Sequence, residues 1–307
     1  MGCGVITSSD RQLQPGTVLR GKWNGRSYRL ERLLGTGSNG QVYLASSGRT
    51  ACAVKIGNES EELAAEANAL KSLGRRERGR PPFLLDVDDA ELRDRLVPFY
   101  VMQYVPGSSV RSYLKRHGAQ WFGVIGYRLL LRLAELHEAG LVFGDLKNDN
   151  VLVSDYGRVA LVDYGGLTAI GRSVRQFTEI YDRGYWAAGG RTAEPAYDWF
   201  AAAVLWIHAL DGKRLMSLTR SSLPQTRSWG DLMALVRTHT VLRPMEPWFE
   251  RAFTGRFADS REACDAWRAC LHRSDGEPAA TVPGWMTGLF VFSILLFASA
   301  AAYWLLQ

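Results

Sequence analysis

Apolar and polar positions along this chain fall into two rhythms and one uninterrupted run. Val42-Tyr-Leu-Ala45 has strand composition, Ser46-Ser-Gly48 reads as a turn and Thr50 to Ile56 as a second strand, which predicts a hairpin. Between Glu59 and Leu73 the period lengthens, and Leu63, Ala67, Leu70 and Leu73 repeat on one face of a predicted helix. From Trp285 to Leu306 there is no charged residue at all. At ~1.5 Å per helical residue that run reaches about 33 Å, enough for a bilayer core. Trp285 at one end, with Tyr303 and Trp304 at the other, would then sit at the two interfaces. A buried core helix is the alternative, but such helices seldom run this long uncharged, and the Pro/Gly/Ala-bearing stretch from Glu277 to Gly284 sets this one apart. The run is expected to be a single-pass transmembrane helix.

The 307 residues are 47% hydrophobic and 22% charged, which suffices for an ordinary core and excludes a disordered chain or a disulfide-stapled mini-protein. The length favours one two-lobed domain or two smaller ones. Cys3, Cys52, Cys264 and Cys270 are scattered without the CxxC spacing of a zinc site, and read as reduced thiols. The chain start shows no signal-peptide pattern, and Ile6 stands where a myristoylation signal after Met1-Gly2 needs Ser or Thr. The bulk is therefore expected on the cytoplasmic side, tail-anchored at the cell membrane. Arg268 and Arg273 upstream of the run agree with the positive-inside rule, weakly offset by Asp275 and Glu277. A net charge of +6 suits a phosphate-rich partner or an anionic membrane, although a solvated basic face is its commoner origin.

The chemistry lies in an ordered series of motifs. Leu34-Gly35-Thr-Gly37-Ser-Asn-Gly40-Gln-Val42-Tyr43 is a glycine loop of the kind that lets backbone approach phosphate, a weak signal by itself. A dinucleotide fold needs a helix after such a loop, and a strand follows here; a P-loop needs Lys where Gln41 stands. Ala53-Val54-Lys55 places a lysine on the second strand, and Glu66 on the following helix can pair with it so that the ammonium grips phosphates. Further on come Gly144-Asp145-Leu-Lys147-Asn-Asp-Asn150-Val-Leu152-Val and, after a turn at Asp155-Tyr-Gly157, Asp163-Tyr-Gly165. Phosphoryl transfer to a hydroxyl needs a carboxylate for the hydroxyl proton, a cation near the γ-phosphate and oxygen ligands for magnesium, and Asp145, Lys147, Asn150 and Asp163 supply them. Singly, each could be a turn residue.

In this order the motifs resemble those of the eukaryotic-like (Hanks-type) Ser/Thr protein kinases, over roughly residues 25 to 272. The resemblance implies an α+β bilobal fold: an extension 1–24, a β-rich N-lobe 25–102, a hinge and helical C-lobe 103–272, a linker 273–284 and the membrane helix 285–306. It implies ATP with Mg2+ or Mn2+ as cofactors. Gly35, Gly37, Gly40, Val42, Ala53, Lys55, Glu66, Met102 as gatekeeper, Gln103 and Val105 in the hinge, and Leu152 would then serve the nucleotide. Asn150 and Asp163 would hold metal, Asp145 would be the base, and Lys147 would steady the transferred group. Trp121 to Ala139 resembles the long helix before the catalytic loop, with Leu129, Leu133 and Leu136 inward. Finer details resemble the YabT-type membrane-anchored kinases of spore-forming Gram-positive bacteria: Gly-Lys-Trp-Asn-Gly at 21–25, Phe-Gly-Asp at 143–145, Tyr-Asp-Arg-Gly-Tyr-Trp at 181–186 and Ala-Glu-Pro-x-Tyr-Asp at 193–198. The expected partners are protein substrates with Ser/Thr hydroxyls, DNA-binding proteins among them, and the expected setting is sporulation.

Three departures from the family bear on regulation. Phe143-Gly144 replaces His-Arg, so no arginine awaits a phosphorylated activation loop; Asp163-Tyr-Gly replaces Asp-Phe-Gly; and Ala193-Glu194-Pro195 is a permuted Ala-Pro-Glu. Asp198 is expected at the start of a buried C-lobe helix, where it steadies the catalytic loop; its plainer reading is a helix N-cap, compatible with that role. Thr168, Ser173 and Thr178 are candidate autophosphorylation sites. Basic clusters at Gly74–Pro82, at Arg111, Lys115 and Arg116, and between Lys213 and Arg273 could meet DNA or anionic lipid. Such contacts, or self-association on the membrane, are the expected triggers. The competing reading is a nucleotide-binding pseudokinase acting as a membrane scaffold.

Overall fold

The computed structural model describes residues 12–37, 40–57, 59–76, 83–92, 95–274 and 284–305. The Met1-Gly2-Cys3 start, Ser38-Asn39 of the glycine loop, the basic stretch beyond Arg76 and the connection 275–283 lie outside them.

Strands β1 (Val18–Arg20), β2 (Ser27–Gly37), β3 (Gly40–Ser47) and β4 (Thr50–Gly57) are followed by helix α1 (Ser60–Arg76) and strands β5 (Leu84–Leu92) and β6 (Arg95–Gln103). They form one antiparallel sheet in the order β1-β2-β3-β4-β6-β5. The hairpin expected at 42–56 is β3–β4, closed by Gly48-Arg49, with Gly48 in the left-handed region at φ +61. Strand β1 lies within the stretch expected as an extension and pairs with β2. The turn after it is tied to β5, since the Trp23 and Asn24 N–H groups donate to the two carboxylate oxygens of Asp88 at 3.1 and 3.0 Å.

Alternation along β4 decides what the cleft receives. Cys52, Val54 and Ile56 pack with Tyr28, Leu30 and Phe99 on one face of the sheet. Ala53 and Lys55 point to the other, where Leu63, Ala67 and Leu70 of α1 pack on Tyr100 and Met102. The helix thus covers the face that carries the lysine.

Below the sheet come β7 (Ser108–Ser109), α2 (Val110–His117), α3 (Phe122–Glu138), β8 (Leu141–Val142), β9 (Val151–Ser154), β10 (Arg158–Leu161) and β11 (Thr168–Ala169). Helices α4 (Pro195–Ser221), α5 (Trp229–Thr238), α6 (Glu246–Thr254) and α7 (Ser260–Ser274) complete the lobe. The helix expected at 121–139 is α3, entered through a 3-10 turn that ends at Trp121, and Leu129, Leu133 and Leu136 are buried. Around it Phe122, Trp206, Trp248 and Trp267 meet ring to ring at 4.8 to 5.9 Å.

This aromatic core needs a glycine on α3. The Trp267 Nε1–H donates to the Gly123 carbonyl at 2.9 Å, which seats the ring against Gly126, where a Cβ would lie 2.0 Å from Cζ2. Gly126→Ala is expected to overpack α3 against α7 and destabilise by about 1–3 kcal/mol. Thermal or urea unfolding checks this, and an unchanged midpoint would refute it.

Helix α8 (Gly284–Leu305) closes the chain, and every one of its described side chains is exposed, Phe290 at 68% and Phe297 at 77% among them. Among the described residues no helix is long and apolar enough to cross a membrane; the side chains of Met286, Thr287, residues 300–303 and Leu305 are not among them. The crossing expected of Trp285–Leu306 is thus not shown by the fold.

Candidate active site

Between sheet and helical lobe lies a cleft of about 640 Å3, within the range of small-molecule sites. Gly35, Gly37, Gly40, Val42, Ala53, Lys55, Met102, Gln103, Val105, Asp145, Lys147, Asn150, Leu152 and Asp163 all line it. Of the nucleotide, metal and catalytic residues expected from the sequence, Glu66 is the exception, because it stands behind Lys55. Leu34 of the glycine loop lines it too, as do Phe83, Tyr104 and Gln176, which sequence reading did not single out. The glycines differ in kind. Gly40 has φ +143 and its Cβ would fall 2.0 Å from the Ile56 carbonyl, so protein packing demands it. Around Gly35 and Gly37 nothing lies within 4 Å, which leaves open space over the cleft.

Lys55 binds both lobes together. Its Nζ donates to Glu66 Oε2 and Oε1 at 2.7 and 3.0 Å and to Asp163 Oδ1 at 2.7 Å, while the Tyr100 hydroxyl donates to Glu66 Oε1 at 2.8 Å. Burial by itself would lower the pKa of the ammonium; Glu66, then Asp163, outweigh it and raise it. Glu66 goes up as well, because its own burial is only partly offset by Lys55. Asp163 is held at φ +60 in the left-handed region, and Tyr164 after it packs edge-on against Phe83 at 5.3 Å and Phe143 at 5.6 Å. That seating turns the Asp163 carboxylate toward Lys55.

Asp145 is gripped from three sides. Lys147 Nζ reaches Oδ2 at 2.6 Å, the Thr178 hydroxyl donates to Oδ1 at 3.0 Å, and Asn150 Nδ2 donates to the Asp145 carbonyl at 2.8 Å. With its amide N–H engaged, Asn150 keeps Oδ1 for a cation. Among the described residues no three His, Cys, Asp or Glu side chains form a ready-made metal cage. An amide oxygen and one carboxylate beside a triphosphate suit a small hard ion that keeps waters and phosphate oxygens as its other ligands.

Asp198 lies in the first turn of α4 rather than at its cap, which is Glu194, and this corrects the N-cap reading. Wholly buried, it accepts from the Phe143 and Gly144 N–H groups at 2.7 and 3.0 Å. His137 Nε2 sits 3.0 Å from the same carboxylate and its Nδ1 2.6 Å from Ser260 Oγ, so α3 and α7 help to fix the catalytic loop. Sequence reading missed His137 and Ser260; the one available signal was a histidine three residues before Gly140. Gly144, at φ +82, is pressed against Gly166, whose carbonyl would stand 2.4 Å from a Cβ.

The segment from Asp163 to Pro195 is braced internally. Arg183 pairs with Glu194 at 2.6 Å, and buried Asp182 takes Arg191 at 2.8 Å and the Tyr197 hydroxyl at 3.0 Å. Of the three candidate phosphorylation sites, Thr168 is buried with its hydroxyl on the Gly166 carbonyl, and Thr178 is bound to Asp145. Ser173 is exposed.

The family described as "Protein kinase domain" matches residues 28–277. The serine/threonine-protein kinase YabT of Bacillus subtilis (strain 168) is 40% identical over 228 residues, covering 73% of this chain and 67% of that protein. The serine/threonine-protein kinase PknA of Mycobacterium tuberculosis is 27% identical over 222 residues, covering 65% of this chain and 49% of its own length. Among solved structures, vaccinia related kinase 3 superposes with a TM-score of 0.58 at 18% identity over 87% of this chain and 94% of that one. The Cydia pomonella granulovirus kinase PK-1 does so with a TM-score of 0.57 at 18% identity over 77% and 92%.

Proposed function

The chain belongs to the protein kinase family and is a serine/threonine protein kinase close to the YabT type, and on that premise we propose which residues do the work and where. Amides of the glycine loop cover the ATP phosphates, and Lys55, held by Glu66, orients them. The backbone of Gln103 and Val105 receives adenine, below Met102 and between Val42, Ala53 and Leu152. Asn150 Oδ1 and Asp163 would hold the divalent ion, Mg2+ or Mn2+, which supplies charge neutralisation at the phosphates when bound.

Asp145 accepts the hydroxyl proton of a Ser or Thr as its oxygen bonds the γ-phosphorus and the bond to the β-phosphate oxygen breaks. Lys147 steadies the group in flight, and Thr178 holds Asp145 in place. The observation that carries this reading is the single ammonium of Lys55 touching carboxylates of both lobes. The same closure disfavours a scaffold without transfer. Gly144 leaves no arginine to receive a loop phosphate, and the Arg183–Glu194 and Arg191–Asp182 pairs already brace the segment. Activity without loop phosphorylation follows. Incorporation of labelled phosphate from ATP into a test protein by the full chain, dependent on a divalent ion, is the test; none with either ion would sink the reading.

Anchoring by Trp285–Leu306 is the second part of the proposal, supported by a 22-residue helix with no charged residue whose described side chains are all exposed. The kinase domain then works at the cytoplasmic face of the membrane, where the excess of +6 favours anionic lipid or DNA as a stimulus. Leu295→Arg would place a charge near the helix centre at a cost of about 2.5–3.5 kcal/mol. The variant is expected to shift from the vesicle-bound to the free fraction on flotation. Equal flotation of variant and parent would end the anchoring proposal.

A further inference from the structure

Beside the nucleotide cleft lies a smaller one of about 360 Å3, between α2 and α4. The two are neighbours along the chain, since Ser109 lines the first and Arg111 the second. Its floor is apolar, with Leu114, Ala209 and Leu210, and its rim carries Arg111, Lys115 and Lys213. Helix α4 departs from helical geometry at Asp211, with φ −132 and ψ 41, which opens the cleft. Asp211 is the one acidic residue of the lining, and Arg214 already engages it at 3.2 Å. Among the described residues Arg111, Lys115 and Lys213 make no ion pair.

A chain of hydrogen bonds leads to the catalytic loop from His208, which lies against Gly212 of the lining. The Asn148 N–H and Nδ2 both donate to the Tyr181 hydroxyl at 3.3 Å, which directs the hydroxyl hydrogen to His208 Nδ1 at 2.6 Å. The imidazole then carries its own proton on Nε2, on the side where Gly212 and Arg111 lie. Burial, then Arg111, lowers the pKa of His208 against the smaller opposing pull of Asp149, in keeping with a neutral ring that donates from Nε2. Apart from the engaged Asp211, the polar side chains around the cleft are donors. Asn148 directly follows Lys147.

We infer that the cleft between α2 and the bend of α4 is a docking site for an acidic segment of the protein substrate, with carboxylates against Arg111, Lys115 and Lys213. Through His208, Tyr181 and Asn148 its occupation bears on the loop that carries Asp145 and Lys147. The inference rests on the kinase reading above and adds a substrate class to it. An apolar floor under a cationic rim fits the methylenes and carboxylates of Glu side chains. The volume admits a few side chains, whereas the phosphates of a duplex would need an open, broad surface. A segment docked here also belongs to the polypeptide whose hydroxyl must reach Asp145, so the two sites can be bridged by one chain.

The test uses the full chain in vesicles and two fluorescein-labelled peptides with the same acceptor Ser, one flanked by Glu and Asp, the other by Gln and Asn. Anisotropy without ATP should show the acidic peptide bound roughly tenfold more tightly, about 1.4 kcal/mol. Lys115→Glu with Lys213→Glu should erase that ratio and raise the KM for the acidic peptide about tenfold, with the KM for ATP unmoved. Tyr181→Phe should keep the preference and lower kcat for the acidic peptide. Equal binding of both peptides by the parent, or a preference that survives the double charge reversal, would overturn the inference. So would a DNA duplex that displaces the labelled peptide at lower concentration than unlabelled acidic peptide does. Preferential binding with no phosphate transfer to either peptide would uphold the cleft's ligand and refute the kinase reading.

Discussion

Asp145→Asn is expected to lower phosphate transfer by ~10²–10⁴-fold while ATP still binds, because the carboxylate is the proposed acceptor of the hydroxyl proton. The substitution keeps shape and burial. It replaces one acceptor oxygen with an NH2 group, so the remaining oxygen can serve the Lys147 ammonium at 2.6 Å only if the NH2 turns to the Thr178 hydroxyl, now at 3.0 Å, which must change from donor to acceptor. The hydroxyl of the substrate loses its base, and Lys147 loses the charge of its partner. Single-turnover transfer separates this from weakened binding, since kcat and kcat/KM for protein substrate should fall together. A variant that keeps more than a tenth of the parent rate would remove Asp145 from the reaction.

Lys55→Ala should abolish transfer and also loosen the N-lobe. Removing the ammonium leaves Glu66, 6% exposed, without its counter-charge, with only the Tyr100 hydroxyl still donating to it among the described residues. Breaking a buried pair of this kind costs about 3–5 kcal/mol. Asp163 is much more exposed, 41% at the side chain, so solvent screens its share and the loss is counted on Glu66 alone. For a domain of this size that is a drop of roughly 6–20 °C in Tm.

The sign of the pH dependence follows from burial. Glu66 already titrates above its ordinary value, and without Lys55 it rises further, so the folded variant holds a proton that the unfolded chain releases. Stability of the variant therefore falls as pH rises from the unfolded value, about 4.3, through the raised folded one, and its deficit shrinks in acid. The double variant Lys55→Ala/Glu66→Ala should recover part of the stability and none of the activity. A Tm deficit that grew on acidification would contradict this account of the pair.

The glycine loop, Lys55, Asp145, Asn150 and Asp163 could be read along the chain because each belongs to a short pattern whose chemistry depends on neighbours a few residues away. The hairpin of β3 and β4 and the register that turns Lys55 toward α1 were legible for the same reason, since alternation in a strand is a local property. Other contacts were not. His137 and Ser260 are 123 positions apart, and nothing in either surrounding sequence marks them as partners across Asp198. Thr178, read along the chain as a candidate acceptor for phosphate, also donates to Asp145, a contact set by the path of the segment rather than by its composition. Glu194 echoes a family triplet in permuted form, yet its partner Arg183 lies in the same segment.

From the order of residues alone came the inventory of reactive groups, the periods that make strands and helices, and the uncharged final run. Which of those groups meet was decided by packing. Lys55, Glu66 and Asp163 are brought within hydrogen-bond reach because α1 buries its apolar face on the sheet, and a buried ammonium is tolerated only where carboxylates converge on it. The pairing of His208 with Tyr181, and the cleft beside them, likewise exist only because α2 and the bend of α4 close on one another. Periodicity is a property of neighbours in sequence, whereas desolvation and electrostatic pairing belong to neighbours in space.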